Sequence, residues 1–166
     1  MSHSTDAELA ELATRLGACL LATHQHLTLA ESCTGGWVAK VITDIAGSSQ
    51  WFDRGFVTYT NASKQALLNV PAETLENDGA VSAATVAAMA HGALAQSNAQ
   101  LSCAISGIAG PGGGSDTKPV GLVWFAWAVR DAAVRTEQQI FSGDREAVRR
   151  QAVAHALRGL LDVCGG

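Results

Sequence analysis

The sequence predicts an α/β protein, a three-layer α/β/α sandwich on a mixed β-sheet, and three observations point there. Short apolar or β-branched runs alternate with segments of helical period as far as residue 106. The run VGLVWFAWAV at 120–129 is apolar almost throughout, as a central strand covered on both faces would be. A β-prone segment at 134–141 then returns as its antiparallel neighbour, which makes the sheet mixed.

Each element has its own signal. Leu9, Leu12, Leu16 and Leu20 recur at steps of three and four residues, the stripe of an amphipathic helix over 7–24. LTLA at 27–30 is a short buried strand. Trp37, Val38, Val41, Ile42 and Ile45 restore helical spacing until Gly47, a residue suited to a C-terminal cap. FVTYT at 56–60 reads as the second strand, and Asn61 as the N-cap of a helix reaching Leu68 and stopped by Pro71. Ser82 caps an alanine-rich helix to about Gln96, and 101–106 forms the third strand. GIAGPGGGSDTKP is the only low-complexity stretch and has to be a loop, either a lid or a plain connection. Asp144 opens a terminal helix with Val153, Ala156, Leu157, Leu160 and Leu161 on its core face. No repeat or linker divides the chain, so one domain over 1–166 is expected.

Composition narrows the function. Eleven Lys plus Arg against fifteen Asp plus Glu give a net charge of -4, which disfavours nucleic acid and anionic lipid as partners. No apolar stretch approaches the roughly 20 residues that cross a bilayer. The N-terminus MSHSTDAELAEL is acidic and carries no export signal, so a cytoplasmic location is expected. Cys19, Cys33, Cys103 and Cys164 are scattered without a C-x-x-C pair and are expected to be reduced, mostly buried thiols. His24 and His26 are too few for a metal site, and neither a metal nor a cofactor is expected.

The chemistry concentrates where parallel strands end. Their C-terminal ends share one edge of the sheet, which brings Ser32, Tyr59 and Ser106 together and is where ligands bind in such folds. In ESCTGG a strand becomes a helix: Ser32 offers a nucleophile, and the amides of Thr34, Gly35 and Gly36 offer oxyanion donors. The competing structural reading makes Ser32 or Thr34 an ordinary N-cap. Lys64, five residues after Tyr59, lies in the first turn of the next helix above the same edge. To act as a base it must lose its charge near neutral pH, which needs burial in addition to the helix dipole. Tyr59 is either a proton relay or packing. Neither His91 nor His155 has a path to this edge. Arg145 sets a cation at the positive end of the terminal helix, a placement that an anion would balance, unless Asp144 or Glu146 pairs with it. The glycine loop lacks the Walker order, which disfavours ATP hydrolysis.

Three stretches, TLAESCTGGWVAKVITDIAGSSQWFDRGFVTYTNASK, SGIAGPGGGSDTKPVG and FSGDREAVRRQA, resemble the CinA C-terminal family of nicotinamide-nucleotide amidases over essentially the whole chain. The resemblance is to the stand-alone form, without the large N-terminal domain of full-length CinA proteins. It implies an α/β/α fold, a homodimer or larger homo-oligomer, and metal-independent hydrolysis of nicotinamide mononucleotide to the carboxylate plus ammonia in pyridine-nucleotide recycling. It also implies a serine–lysine site, carried here onto Ser32, Tyr59 and Lys64. The paired Ser48 and Ser49 of AGSSQW are a second candidate for the nucleophile, expected at the opposite sheet edge, and Cys33 ranks third. Glu31, Thr34, Gly35, Gly36, Ser48, Ser106, Gly107, Gly110 and Arg145 are the expected substrate-binding positions, with Arg145 and the 106–110 turn on the 5′-phosphate. The alternative is a non-catalytic nucleotide-binding or regulatory module that partners a CinA-like N-terminal domain.

Overall fold

The computed structural model describes residues 4–165. Its elements are α1 (Asp6–Ala22), β1 (Leu27–Glu31), α2 (Trp37–Thr43), a 3₁₀ turn (Ser48–Gln50), β2 (Phe52–Val57), α3 (Asn61–Leu68), α4 (Ala72–Asp78), α5 (Ala83–Ala95), β3 (Leu101–Gly107), β4 (Leu122–Val129), β5 (Arg135–Ile140) and α6 (Arg145–Val163). The strands form one sheet in the order β2-β1-β3-β4-β5. β2, β1 and β3 are parallel, β4 runs antiparallel to β3, and β5 runs antiparallel to β4. The expected three-layer sandwich on a mixed sheet is present.

The two faces differ in side-chain size. Leu27, Leu29, Leu101, Cys103, Ile105, Val123, Phe125 and Trp127 point to one face, where α1, α2 and α6 pack. Ala30, Ala104, Ala126 and Ala128 point to the other, where α5 packs with α3 and α4 beside it. The small face lets α5 lie close, and Ser102 donates from it to the Ala90 carbonyl. Gly92 extends this closeness to α3: a Cβ there would stand 2.1 Å from the Leu68 carbonyl oxygen. The close packing of α3 against α5 sets the position of Lys64, one turn before Leu68.

Several boundaries differ from the sequence expectation. β2 begins at Phe52, four residues before FVTYT, and ends at Val57, three residues before the end of that run, and Leu27 pairs with Phe52. It is an edge strand with an exposed face, so FDRGFV lacks the composition of a core strand. Thr60, in a capping box with Ser63, caps α3 in place of Asn61. α2 stops at Thr43, and Gly47, at φ +82°, instead opens the 3₁₀ turn. α4 went unforeseen because Pro71 signalled only a stop, whereas it serves as that helix's N-cap residue. Cys19 and Cys164 form a disulfide, contrary to the expectation of four reduced thiols. The C-terminal ends of α1 and α6 meet on one face, with 6.4 Å between the two Cα atoms, a proximity that a separation of 145 residues conceals. Cys33 and Cys103 are free and buried.

Gly92→Ala forces the Leu68 carbonyl aside, and a loss of about 1–3 kcal/mol is expected. For a chain of this size that lowers Tm by roughly 2–12 °C. Gly112→Ala, whose Cβ meets nothing within 4 Å, leaves Tm unchanged in the same calorimetric measurement.

Candidate active site

β1 ends on two consecutive polar residues, and strand alternation sends them to opposite faces. Glu31 enters the α2 layer and Ser32 the α3 layer. Glu31 is 1% exposed. Its carboxylate accepts from the Thr34 hydroxyl (2.6 Å) and from the amides of Gly36 (3.1 Å), Val38 (3.2 Å) and Ala39 (2.9 Å). α2 opens at Gly36, which has no side chain to cap with, so Glu31 supplies the cap from outside the helix. This corrects the reading of an ordinary side-chain N-cap. Neither Ser32 nor Thr34 is the N-cap, and the Glu31 carboxylate and the Thr34 hydroxyl hold the turn. The helix terminus that looked like an anion pocket is filled by the protein's own carboxylate.

Ser32 is thereby free for another partner. Its amide donates to the Ile105 carbonyl, extending the β1–β3 pairing by one residue, and its Oγ lies 3.0 Å from Lys64 Nζ. Lys64 is 1% exposed and donates to the Thr58 carbonyl at 2.7 Å. Burial pushes its ammonium below the ordinary lysine range, and among the described residues it has no ion pair to restore the charge. A buried amine without an acid partner prefers its neutral form, and a neutral amine 3.0 Å from a hydroxyl is a base in position. The orphaned Thr58 hydroxyl lies in the same buried wall. Ser106, 2% exposed, flanks Ser32 from β3 on the same face of the sheet.

The turn after Ser32 has a defined set of bonds. Gly35 donates to the Ser32 carbonyl and Gly36 to Glu31, so two of the three amides expected as oxyanion donors are engaged. Among the described residues, the Thr34 amide has no hydrogen-bond acceptor, and the Cys33 amide has none beyond its own side-chain sulfur. Cys33 is the more accessible, at 6% exposure against 0% for Thr34, and its amide directly follows the hydroxyl. Burial and the nearby Glu31 charge push the Cys33 thiol up to about 12, which keeps it protonated.

Tyr59 is not beside Lys64. Because β2 ends early, Tyr59 sits in the link to α3, 58% exposed, and its hydroxyl accepts from Arg145 Nη2 at 2.9 Å. No hydrogen bond joins it to Lys64 or Ser32, which corrects its expected relay position. Arg145 also donates to the Gly110 carbonyl at 2.9 Å, so the guanidinium ties Tyr59 and the glycine loop together and pairs with neither Asp144 nor Glu146. Gly107 ends β3 against Val123. Lys118 anchors the loop to the Asp78 carbonyl at the end of α4, so this segment is tied down.

Ser48 and Ser49 lie in the 3₁₀ turn before β2, and the neighbouring Trp51 carbonyl accepts from Leu27 at the start of β1. They stand at the opposite sheet edge from Ser32, about 16 Å away along a five-residue strand. His155 lies in the α6 layer beside Glu137, away from this edge. The sequence reading missed Arg149, which donates from Nε to the Cys33 carbonyl (2.9 Å) and from Nη2 to the Thr34 carbonyl (3.2 Å). Its spacing of four from Arg145 places both on one face of α6.

Lys64→Met tests the buried amine by its linkage to pH. Lys64 holds its proton less tightly folded than unfolded, where 10.5 applies. Between the two values the unfolded chain binds the extra proton, so the contribution to stability rises with pH. The wild-type Tm minus that of the variant should therefore increase as pH rises toward 10.5; a difference flat with pH would mean that the amine keeps its ordinary affinity for protons.

Comparison with known proteins places this site in a family. The CinA C-terminal domain family matches residues 9–164. The nicotinamide-nucleotide amidohydrolase PncC of Escherichia coli (strain K12) is 57% identical over 156 residues, covering 94% of each chain. Its Pseudomonas putida counterpart is 53% identical over 152 residues, covering 92% of this chain and 94% of its own. The crystal structure of the competence/damage inducible protein CihA from Agrobacterium tumefaciens superposes with a TM-score of 0.92 at 44% identity, covering 98% of each chain.

Proposed function

The chain belongs to the CinA C-terminal domain family, and we propose that it is a nicotinamide-nucleotide amidase that converts nicotinamide mononucleotide and water to nicotinate mononucleotide and ammonia. The observation that carries the chemistry is the buried Lys64 amine 3.0 Å from the Ser32 hydroxyl. Neutral Lys64 takes the Ser32 proton as Oγ attacks the carboxamide carbon. The Cys33 amide, directly after the nucleophile, receives the developing oxyanion, an arrangement shared with other serine hydrolases and worth about 3 kcal/mol per good donor. Lys64 returns its proton to the departing nitrogen, ammonia leaves, and an ester on Ser32 remains. Water, deprotonated by Lys64, then attacks that ester, and Lys64 passes the proton to Ser32 Oγ as the carbon–oxygen bond breaks, which frees the carboxylate product and restores both groups.

A small carboxamide offers few handles, so binding energy comes from the rest of the nucleotide. Arg145, held between Tyr59 and Gly110, is our choice for the 5′-phosphate, with Ser106, Gly107 and the 33–36 turn around the ring. Among the described residues no helix is long and apolar enough to cross a membrane. A homodimeric or larger assembly comes from the family resemblance, and a cytoplasmic location is the reading of the sequence. The Cys19–Cys164 bond removes the argument from free thiols.

Purified protein should release ammonia from nicotinamide mononucleotide, with kcat/KM rising with pH as Lys64 loses its proton, on a limb below 10.5. Ser32→Ala and Lys64→Ala each should lower kcat by about 10³-fold or more, while Ser49→Ala keeps it within about threefold. Tight binding of the nucleotide without ammonia release would replace this reading with that of a nucleotide-binding module. Loss of turnover in Ser49→Ala with turnover kept in Ser32→Ala would move the nucleophile.

A further inference from the structure

The four arginines of α6 divide into two kinds. Arg150 pairs with Asp6 and Glu146, and Arg158 pairs with Glu8. Arg145 and Arg149 have no acid partner among the described residues and spend their donors on the edge where Ser32 lies. Arg149 is the more specific of the two. It bonds two successive carbonyls of the turn that follows the nucleophile and lies over the ring of Trp37, 5.5 Å from its centroid. Gly35 admits it: a Cβ there would stand 3.3 Å from Nη2, on a backbone at φ +59°.

A trans peptide carries its C=O and the following N–H in opposite directions. Holding the Cys33 carbonyl toward α6 therefore turns the Thr34 N–H away from that layer, toward the side where Lys64 meets Ser32. Holding the Thr34 carbonyl fixes the next plane, whose Gly35 N–H donates to the Ser32 carbonyl. That bond in turn fixes the Ser32–Cys33 plane and the direction of the Cys33 N–H. The guanidinium shares the Thr34 carbonyl with the Trp37 amide (3.0 Å) and is the side chain that holds the Cys33 carbonyl, so it contributes to the orientation of both the Cys33 and Thr34 amides, and its charge polarises the peptides it binds.

We infer that Arg149 is a positioning residue for the amidase reaction, clamping the Cys33–Thr34 and Thr34–Gly35 peptide planes so that, through the Gly35 bond to the Ser32 carbonyl, the Cys33 amide is aimed at the developing oxyanion before substrate arrives. The inference rests on the amidase reading. Because the clamp acts on the transition state, its loss falls on kcat and leaves KM and the Lys64 limb in place.

The test is the kinetics of ammonia release from nicotinamide mononucleotide by wild type, Arg149→Ala, Arg149→Lys and Arg150→Gln across pH, with and without added guanidinium. Both Arg149 variants should lose about 10- to 100-fold in kcat, somewhat less than removal of a donor outright, with KM within about threefold. Lysine keeps the charge but cannot bond both carbonyls in the same way. Guanidinium should restore part of the Arg149→Ala rate, and the rising limb should stay at the wild-type pH. Should Arg149→Ala fail to fold, Arg149→Lys carries the comparison. Full kcat in Arg149→Lys, a loss confined to KM, a displaced limb, absence of rescue in folded Arg149→Ala, or an equal loss in Arg150→Gln overturns the inference while wild-type turnover preserves the amidase reading. Wild-type protein that releases no ammonia overturns that reading, and the inference with it.

Discussion

A lysine amine held out of water with no acid to pair it is the constraint around which this end of the molecule is arranged. Moving an ammonium out of water is costly, and burial pulls the proton affinity of this amine below the ordinary lysine range. The fold must therefore hold an amine at 1% exposure and give it hydrogen-bond partners that do not stabilise its charge as a carboxylate would. It does so with a main-chain carbonyl from Thr58 and a hydroxyl from Ser32. The Thr60–Ser63 capping box fixes where α3 begins, and Gly92 lets the far end of that helix sink against α5. Together they set the depth of Lys64 below the surface.

The second buried titratable group at this edge, Glu31, is treated in the opposite way. Four donors converge on its carboxylate, three of them amides at the start of α2. Strand alternation separates the two groups: Glu31 faces α2, Ser32 faces α3, and the sheet lies between the carboxylate and the amine. Had the register slipped by one residue, the acid would have met the lysine, stabilised its ammonium and removed the base. The same four bonds relieve Ser32 of capping duty, which is why a serine at a strand-to-helix junction keeps its hydroxyl for Lys64.

How much of this could be read in the chain varies with the range of the interaction. Alternation of apolar runs gave the layers, and the shared edge of parallel strands placed Ser32 near Ser106 and Lys64, because these depend only on local period and on topology. Tyr59 went astray because the edge strand FDRGFV is too polar to announce itself, and its early end moves Tyr59 out of the sheet. The capping role of Glu31 went unforeseen because a cap acting from five to eight residues before its helix amides has no short-range signature. Arg149 was hidden in REAVRR among ordinary helix-face charges. Only the arrival of α6 beside the ESCTGG turn distinguishes it from Arg150. The Cys19–Cys164 pairing is invisible for the same reason, since 145 residues separate its members.

Those long-range contacts converge on α6. Its exposed and C-terminal parts are fastened to α1, through Arg150 to Asp6, Arg158 to Glu8 and Cys164 to Cys19. Its N-terminal turn reaches the sheet edge with Arg145 on the glycine loop and Arg149 on the Ser32 turn. A helix so fastened holds its arginines at a fixed height, and a fixed height is what two carbonyls in successive peptide planes require. Each surface ion pair contributes little to stability by itself. Their sum still acts in one direction, seating α6 on α1, so the geometry around the candidate nucleophile depends on contacts made on the far side of the sheet from its base.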